Sequence, residues 1–488
     1  MELRGACNVA KSSIFAANIV FLMKSAVKAM PLSLAEPSPE PQNTARMSSP
    51  SVSLPKVGLT TATLIVVANM VGSGVFGTTG ELADKIPSAF AILACWGAGG
   101  LMALCGALAY GELAARLPRS GGEYHFLSQI YSPWAGFVSG FVSIVVGFSA
   151  PIALNALFFG EYFKQVVPSA PPMVSAAVLV VVLTFIHALK INYGAGVQNF
   201  FTLLKVGLIV LFVVAGLFFA PDSAYTGVSL IPQAEDWTMI LSPAFAVALV
   251  SVYYGYLGWN ASVYMTGEIK NPTRNVPWSL LIGTLVVGTL YLLLNYVFVT
   301  TVDIGAMSGK VEVGALSAKA IFGETGGKIV SLFIGLALVS SAGAMVMLGP
   351  RIAESMGEDH AFFRILSKRK GNGGPWTALL TQMFIALAMV FTESPLTILI
   401  YMGFTLSLFS MFSVMGVYVL RLREKKKAVA SGGGFSYRTW GYPFTPALFI
   451  VLCLWMIGNT IFNNPAAALS GLATLMMGAG IYLITAKK

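Results

Sequence analysis

Val71-Gly72-Ser73-Gly74-Val75-Phe76 interrupts an uncharged apolar run from Val57 to Gly80, and Tyr254-Gly255-Tyr256-Leu257-Gly258-Trp259-Asn260 interrupts a second one from Ile240 to Gly267. Each run is long enough to cross a bilayer, which takes about 20 apolar residues. The glycine steps predict that both helices unwind near mid-length. Backbone N–H and C=O groups left unpaired against lipid are costly, so unwinding is tolerated only where the freed groups line a cavity. Matched breaks in the two halves of a chain predict a binding site at the membrane midplane, the arrangement that secondary transporters use.

Composition agrees. The 488 residues are 56% hydrophobic and 10% charged, against about 25% charged in a soluble domain. This predicts an all-α polytopic membrane protein. A hydropathy pass gives about twelve transmembrane helices, centred near residues 68, 101, 147, 180, 209, 254, 289, 339, 384, 409, 452 and 476. The formal net charge of +10 does not signal nucleic acid, because the charges sort by side. Stretches after the even-numbered spans hold eighteen Lys and Arg, and the opposite stretches hold five. That bias predicts a multi-pass protein of the plasma membrane with both termini cytoplasmic, its basic loops facing anionic lipid.

Residues 1–55 read differently from the rest. A short apolar stretch between Lys11 and Lys24 is too short to span, and a Pro/Ser/Glu-rich run follows from Pro31 to Pro50. No convincing cleavage site follows it. We read residues 1–55 as a disordered or surface-lying cytoplasmic extension, or residues 1–46 as preceding a true start at Met47. The remainder, 56–488, is read as one transporter domain. Cys95, Cys105 and Cys453 fall in spans, Cys7 falls in the extension, and no external loop holds a pair.

No enzyme constellation is present. His125, His187 and His360 lie at span ends or loops without a metal-ligand spacing partner, so no metal is expected. Ser120-Gly121-Gly122 and Gly432-Gly433-Gly434 lack the context of a phosphate loop, so neither ATP nor another cofactor is expected.

The first break has a definite polarity. The inner half-helix ends with free carbonyls near Met70 and Val71, and the outer half begins with free N–H groups at Ser73, Gly74 and Val75. The half-helix dipoles therefore suit an amino acid zwitterion, its carboxylate on the amides and its ammonium on the carbonyls. Gly72 and Gly74 allow unusual dihedrals and close approach of a ligand.

Around these breaks the chain resembles the amino acid–polyamine–organocation superfamily, closest to the L-type amino acid transporters and their bacterial relatives. The resemblance covers essentially residues 55–485 and rests on GSGVF at 72–76, PRSGGEY at 118–124, VQNFFTLLK at 197–205 and GYLGWNASVYMTGEIKNPTRNVP at 255–277. It implies a fold of two inverted five-helix repeats, about 56–220 and 238–422, with helices 1 and 6 broken and two further helices over about 441–485. It also implies carboxylate contacts at Gly72, Ser73 and Gly74. Ammonium contacts fall on the carbonyls of Met70, Tyr254, Gly255 and Leu257. Tyr254 stands at the position of an aromatic gate, and Asn260 where arginine exchangers carry an acid. Gly258 and Trp259 belong to the second break, and Met345 falls near the residue that meets the substrate side chain. By the same resemblance Lys205 is the coupling residue, its amine placed where sodium-coupled cousins bind an ion. PRSGGEY is implied to be a cytoplasmic loop. No cysteine lies between Gly160 and Pro172, so no disulfide-linked accessory chain is expected, and a homodimer is left open.

Other residues have plainer readings beside these. Asn69 either contacts substrate or hydrogen-bonds the broken backbone. Glu112 and Glu123 are placed at the inner membrane surface, paired with Arg116 or Arg119. Trp259 reads either as packing beside the second break or as a ligand contact, Asn271-Pro272 as a helix stop and turn, and Pro151 as a kink. With no acid expected in the pocket, and with Met345, Tyr254 and Trp259 offering apolar surface, neutral amino acids are the expected substrates. The expected activity is sodium-independent secondary transport, by exchange or proton coupling. The alternatives are a cationic amino acid or polyamine antiporter, a non-transporting receptor on the same fold, and a membrane enzyme or channel.

Overall fold

The computed structural model describes residues 56–188, 195–222, 228, 230–367, 375–427 and 437–485. The expectation for residues 1–55 lies outside them. Every span centre expected from hydropathy falls on a helix, and no strand occurs among the described residues.

In chain order the helices that matter here begin with α1 (Leu59–Met70), α2 (Ser73–Gly77), α3 (Ala89–Arg116) and α4 (Glu123–Ile130). They continue with α5 (Pro133–Val166), α6 (Pro172–Ala188), α7 (Ala195–Phe218) and α8 (Pro243–Tyr256). The remainder are α9 (Pro272–Thr301), α10 (Val313–Asp359), α11 (Trp376–Thr392), α12 (Pro395–Lys427), α13 (Phe444–Asn463) and α14 (Pro465–Thr485). Among the described residues nine helices are long and apolar enough to cross a membrane. A tenth appears if Ala234–Ile240 and Pro243–Glu268, bent by 66° at their junction, form one span. Helices α6 and α11 are apolar but shorter. The chain is therefore polytopic and all-α, and length with apolarity does not by itself return the number twelve.

Local sequence accounts for many helix boundaries. Ser88, Ser132 and Ser242 accept hydrogen bonds from the first turns of α3, α5 and α8. Pro133, Pro243 and Pro272 occupy starting positions where the missing N–H is harmless. Asn271 adopts the left-handed region at φ 46° and caps α9, so the Asn-Pro step is the stop and turn expected of it. In α5 the hydrogen-bond ladder loosens into a π-helical stretch, Ser143–Ser149, just ahead of Pro151. The residue read as a kink thus sits beside a local widening of the helix.

Helices α1 and α9 pack together, as do α3 with α9 and α5 with α10. A single backbone bridge fastens the start of the bundle to its middle. Val57 N–H donates to Glu268 C=O at 2.8 Å, and Lys270 N–H donates to Val57 C=O at 2.9 Å. This brings the entry to α1 alongside the exit of the second interrupted span.

Candidate substrate site between two broken helices

Both sequence breaks are breaks in the structure. Helix α1 stops at Met70, Val71 and Gly72 run extended, and α2 starts at Ser73. Helix α8 stops at Tyr256, and a 3-10 helix over Ala261–Glu268 resumes after Leu257–Asn260. The two breaks cross backbone against backbone. A Cβ on Gly74 would lie 2.3 Å from the Gly255 Cα, and one on Gly258 would lie 2.6 Å from the Asn69 carbonyl carbon. Gly258 also needs glycine conformationally, at φ 104°. Gly72 does not, since its φ of −150° is ordinary extended backbone. Its Cβ would instead come within 3.2 Å of Asn155 Oδ1. Gly72 and Gly74 are therefore explained by space rather than by the unusual dihedrals expected of them.

One cavity opens at this crossing. Eleven of the twelve expected contact residues line it: Asn69, Met70, Gly72, Ser73, Gly74, Tyr254, Gly255, Leu257, Gly258, Asn260 and Met345. Trp259 is the exception and corrects the expectation. Its side chain is fully buried away from the cavity, edge-on to Tyr110 at 4.7 Å and to Phe449 at 6.1 Å between ring centroids. Tyr254 lies over the first break, its hydroxyl 2.6 Å from Ser73 Oγ. Asn69 lines the cavity, and its Nδ2 donates to Ile65 C=O at 2.8 Å, one turn back within α1 and not at the break itself.

The backbone groups freed at the first break are partly occupied from within. Ser73 N–H donates to Asn155 Oδ1 at 3.1 Å. The Met70 carbonyl accepts from Tyr291 at 2.6 Å, and the Val71 carbonyl from Ser341 at 2.6 Å. The inner carbonyls at Met70 and Val71 are thus not free, as the sequence reading had them. A carbonyl has two lone pairs, so the Met70 oxygen keeps capacity for a further donor.

Lys205 reaches the same backbone from behind. Its ammonium donates to Ala68 C=O at 2.8 Å, Val71 C=O at 2.9 Å and Ser341 Oγ at 2.9 Å. Three N–H donors meet three acceptors, so the buried ammonium is hydrogen-bonded throughout.

The two acids near the inner end of α3 part company. Glu112 is the expected ion pair. It meets Arg116 at 2.6 Å and Arg421 through two bonds of 2.9 and 2.6 Å, and it accepts from the Thr439 amide at 2.7 Å. Glu123 is buried, and among the described residues no arginine pairs with it. It is 5% exposed, lines the cavity, and is the only charged residue among the described residues that do. The physical reason is the turn ahead of it. Gly121 and Gly122 take φ of 123° and 57°, which folds the PRSGGEY segment inward. A Cβ on Gly122 would strike the Tyr264 ring at 2.3 Å. The expectation of a pocket without an acid is therefore overturned, and with it the ground for a purely neutral preference.

Asn155, Tyr291, Ser341 and Tyr264 were not read from the sequence as site residues. Only Asn155, an amide in the apolar middle of α5, carried a signal that could have found it. Among the described residues no cluster of His, Cys, Asp and Glu could hold a metal ion, and Cys95, Cys105 and Cys453 are free and buried. Burial, helped by the Arg119 charge, pushes the His125 imidazole down to about 4, so it stays neutral near pH 7.

A family model described as amino acid permease matches residues 57–486. The serine/threonine exchanger SteT of Bacillus subtilis (strain 168) is 26% identical over 441 residues, covering 87% of this chain and 95% of its own length. The b(0,+)-type amino acid transporter 1 of Mus musculus is 26% identical over 426 residues, with 84% and 83% covered. The large neutral amino acids transporter small subunit 2 of Homo sapiens is 25% identical over 443 residues, with 88% and 80% covered.

Proposed function

The chain belongs to the amino acid permease family, and we propose that it is a sodium-independent exchanger of amino acids working by alternating access. It is a membrane transporter and not an enzyme. The observation that carries the finer reading is the crossing of the two breaks over one cavity, with the Lys205 ammonium bonded to the first of them. The substrate carboxylate is assigned to the amide side of the first break, at Gly72, Ser73 and Gly74. Its ammonium is assigned to the carbonyls of Tyr254, Gly255, Leu257 and Met70. Tyr254 acts as the gate, and Met345 meets the side chain. The Lys205 amine on the Ala68 and Val71 carbonyls does the work a sodium ion would do there. Both termini are assigned to the cytoplasmic side of the plasma membrane, and no disulfide-linked second chain is required.

Uptake into proteoliposomes tests this. Labelled amino acids should enter only vesicles preloaded with unlabelled amino acid, at the same rate in sodium as in choline buffer. Lys205→Ala should slow exchange at least about tenfold, since one lost hydrogen bond to a charged group is worth about 1.5 kcal/mol or more. Stimulation by sodium, or full activity in Lys205→Ala, would reject the assignment.

A further inference from the structure

Glu123 differs from Glu112 and Glu81 in that, among the described residues, every hydrogen-bond donor on it is neutral. Its Oε1 accepts from Tyr110 Oη at 2.9 Å and from Asn260 Nδ2 at 2.6 Å, and its Oε2 accepts from the Tyr264 hydroxyl. Glu112 pairs with two arginines and Glu81 with Lys85. A carboxylate buried in a membrane protein without a cation is expensive, and such residues ordinarily have a task.

The geometry around it determines what faces the cavity. A carboxylate offers about four acceptor positions, and three are filled, so one remains. Asn260 turns its amide nitrogen toward Glu123 and toward the Tyr264 hydroxyl, the latter at 3.4 Å. With the Tyr110 and Tyr264 hydroxyls also donating to this carboxyl group, reversing the amide would set two oxygens against each other. The Asn260 Oδ1 consequently points away from Glu123, and no described residue donates to it. Asn260 is the last residue of the second break, so this pair of acceptors adjoins the place assigned to the substrate backbone.

We propose that Glu123 and Asn260 form a side-chain subsite that accepts hydrogen bonds, selecting amino acids whose side chains carry a hydroxyl or ammonium donor over apolar ones of the same shape. The inference rests on the transport reading above. A site whose buried acceptors would be left unpaired rejects an analogue lacking the donor more strongly than an apolar pocket rejects a misfit.

Shape-matched pairs test it in proteoliposomes holding the full chain, by competition against uptake of a labelled amino acid mixture. L-threonine is set against L-valine, and L-lysine against L-norleucine. At least one donor should outcompete its partner by about ten- to a hundredfold, the worth of a hydrogen bond to a charged acceptor. A threonine preference identifies the hydroxyl as the donor, and a lysine preference identifies the ammonium. Glu123→Gln should collapse the favoured ratio toward one, because the Asn260 amide then has no fixed orientation. Glu123→Asp, which keeps the charge, should retain the sense of the preference. Equal competition within both pairs overturns the proposal even if both variants misfold, since it is read on the unmodified protein. A preference undiminished in a monodisperse Glu123→Gln also overturns it. Labelled amino acids that fail to enter at all would instead overturn the transport reading beneath it.

Discussion

Gly74 and Gly258 show how one residue type serves two physical demands at one crossing. Gly74 sits in ordinary helix and is required because Gly255 backbone occupies the place of its side chain. Gly258 is required twice, by the Asn69 carbonyl and by its own positive φ. Gly258→Ala should therefore destabilise by about 1–3 kcal/mol from backbone strain alone, and steric contact with Asn69 adds to that. A lower melting temperature in detergent, together with loss of uptake, is the expected outcome. Gly74→Val should abolish uptake because it pushes α2 off α8. That cause differs from the blocking of carboxylate space which the sequence suggests. Thermal melting separates them, since only a helix displacement lowers the melting temperature along with transport. A normal melt with abolished uptake would restore the carboxylate explanation.

At the scale of elements, what was legible in the sequence and what was not have different physical origins. The breaks in α1–α2 and after α8 were legible because two glycines in an uncharged apolar run are a local signal. Met345 and Lys205 were placed by resemblance, and the structure puts Met345 in the cavity and Lys205 on the broken backbone. Glu123, inside the PRSGGEY segment, was misread because the content of that segment is long-range. Its glycines, arginine and polar residues look like any surface loop, and only the φ values at Gly121 and Gly122 turn Glu123 inward. Trp259 was left between packing and contact for the converse reason, since adjacency to a break says nothing about the direction of a side chain on an irregular turn. The loop geometry gives a test of its own. Gly122→Ala places a Cβ against Tyr264 and strains a positive φ, so it should move Glu123 off Asn260. Uptake should fall, whereas Gly309→Ala should leave uptake intact. Gly309 also has positive φ, but no atom lies near its added Cβ.

Across the whole molecule, the Lys and Arg bias is what the expected orientation rests on. The Glu112 cluster joins α3, α12 and the chain ahead of α13 on the side that carries the basic loops, with Arg116 also meeting Glu424 at 2.6 Å. Removing one partner of a buried ion pair costs about 3–5 kcal/mol, so Glu112→Gln should lower the melting temperature sharply in detergent. The same charge distribution predicts which loops face which compartment. Lys164, at the end of α5, and Arg274, in the first turn of α9, are both exposed and lie at opposite ends of the bundle by the hydropathy order. Cys95, Cys105 and Cys453 are buried, so they contribute little background to thiol labelling once Cys7 is replaced by serine. If basic loops remain inside, Lys164→Cys should react with a membrane-impermeant maleimide in intact cells. Arg274→Cys should react only after the cells are opened. The reverse pattern would place the termini outside. The orientation would then have to follow from something other than the Lys and Arg bias, and the Glu123 subsite would stand on the external side of the broken helices.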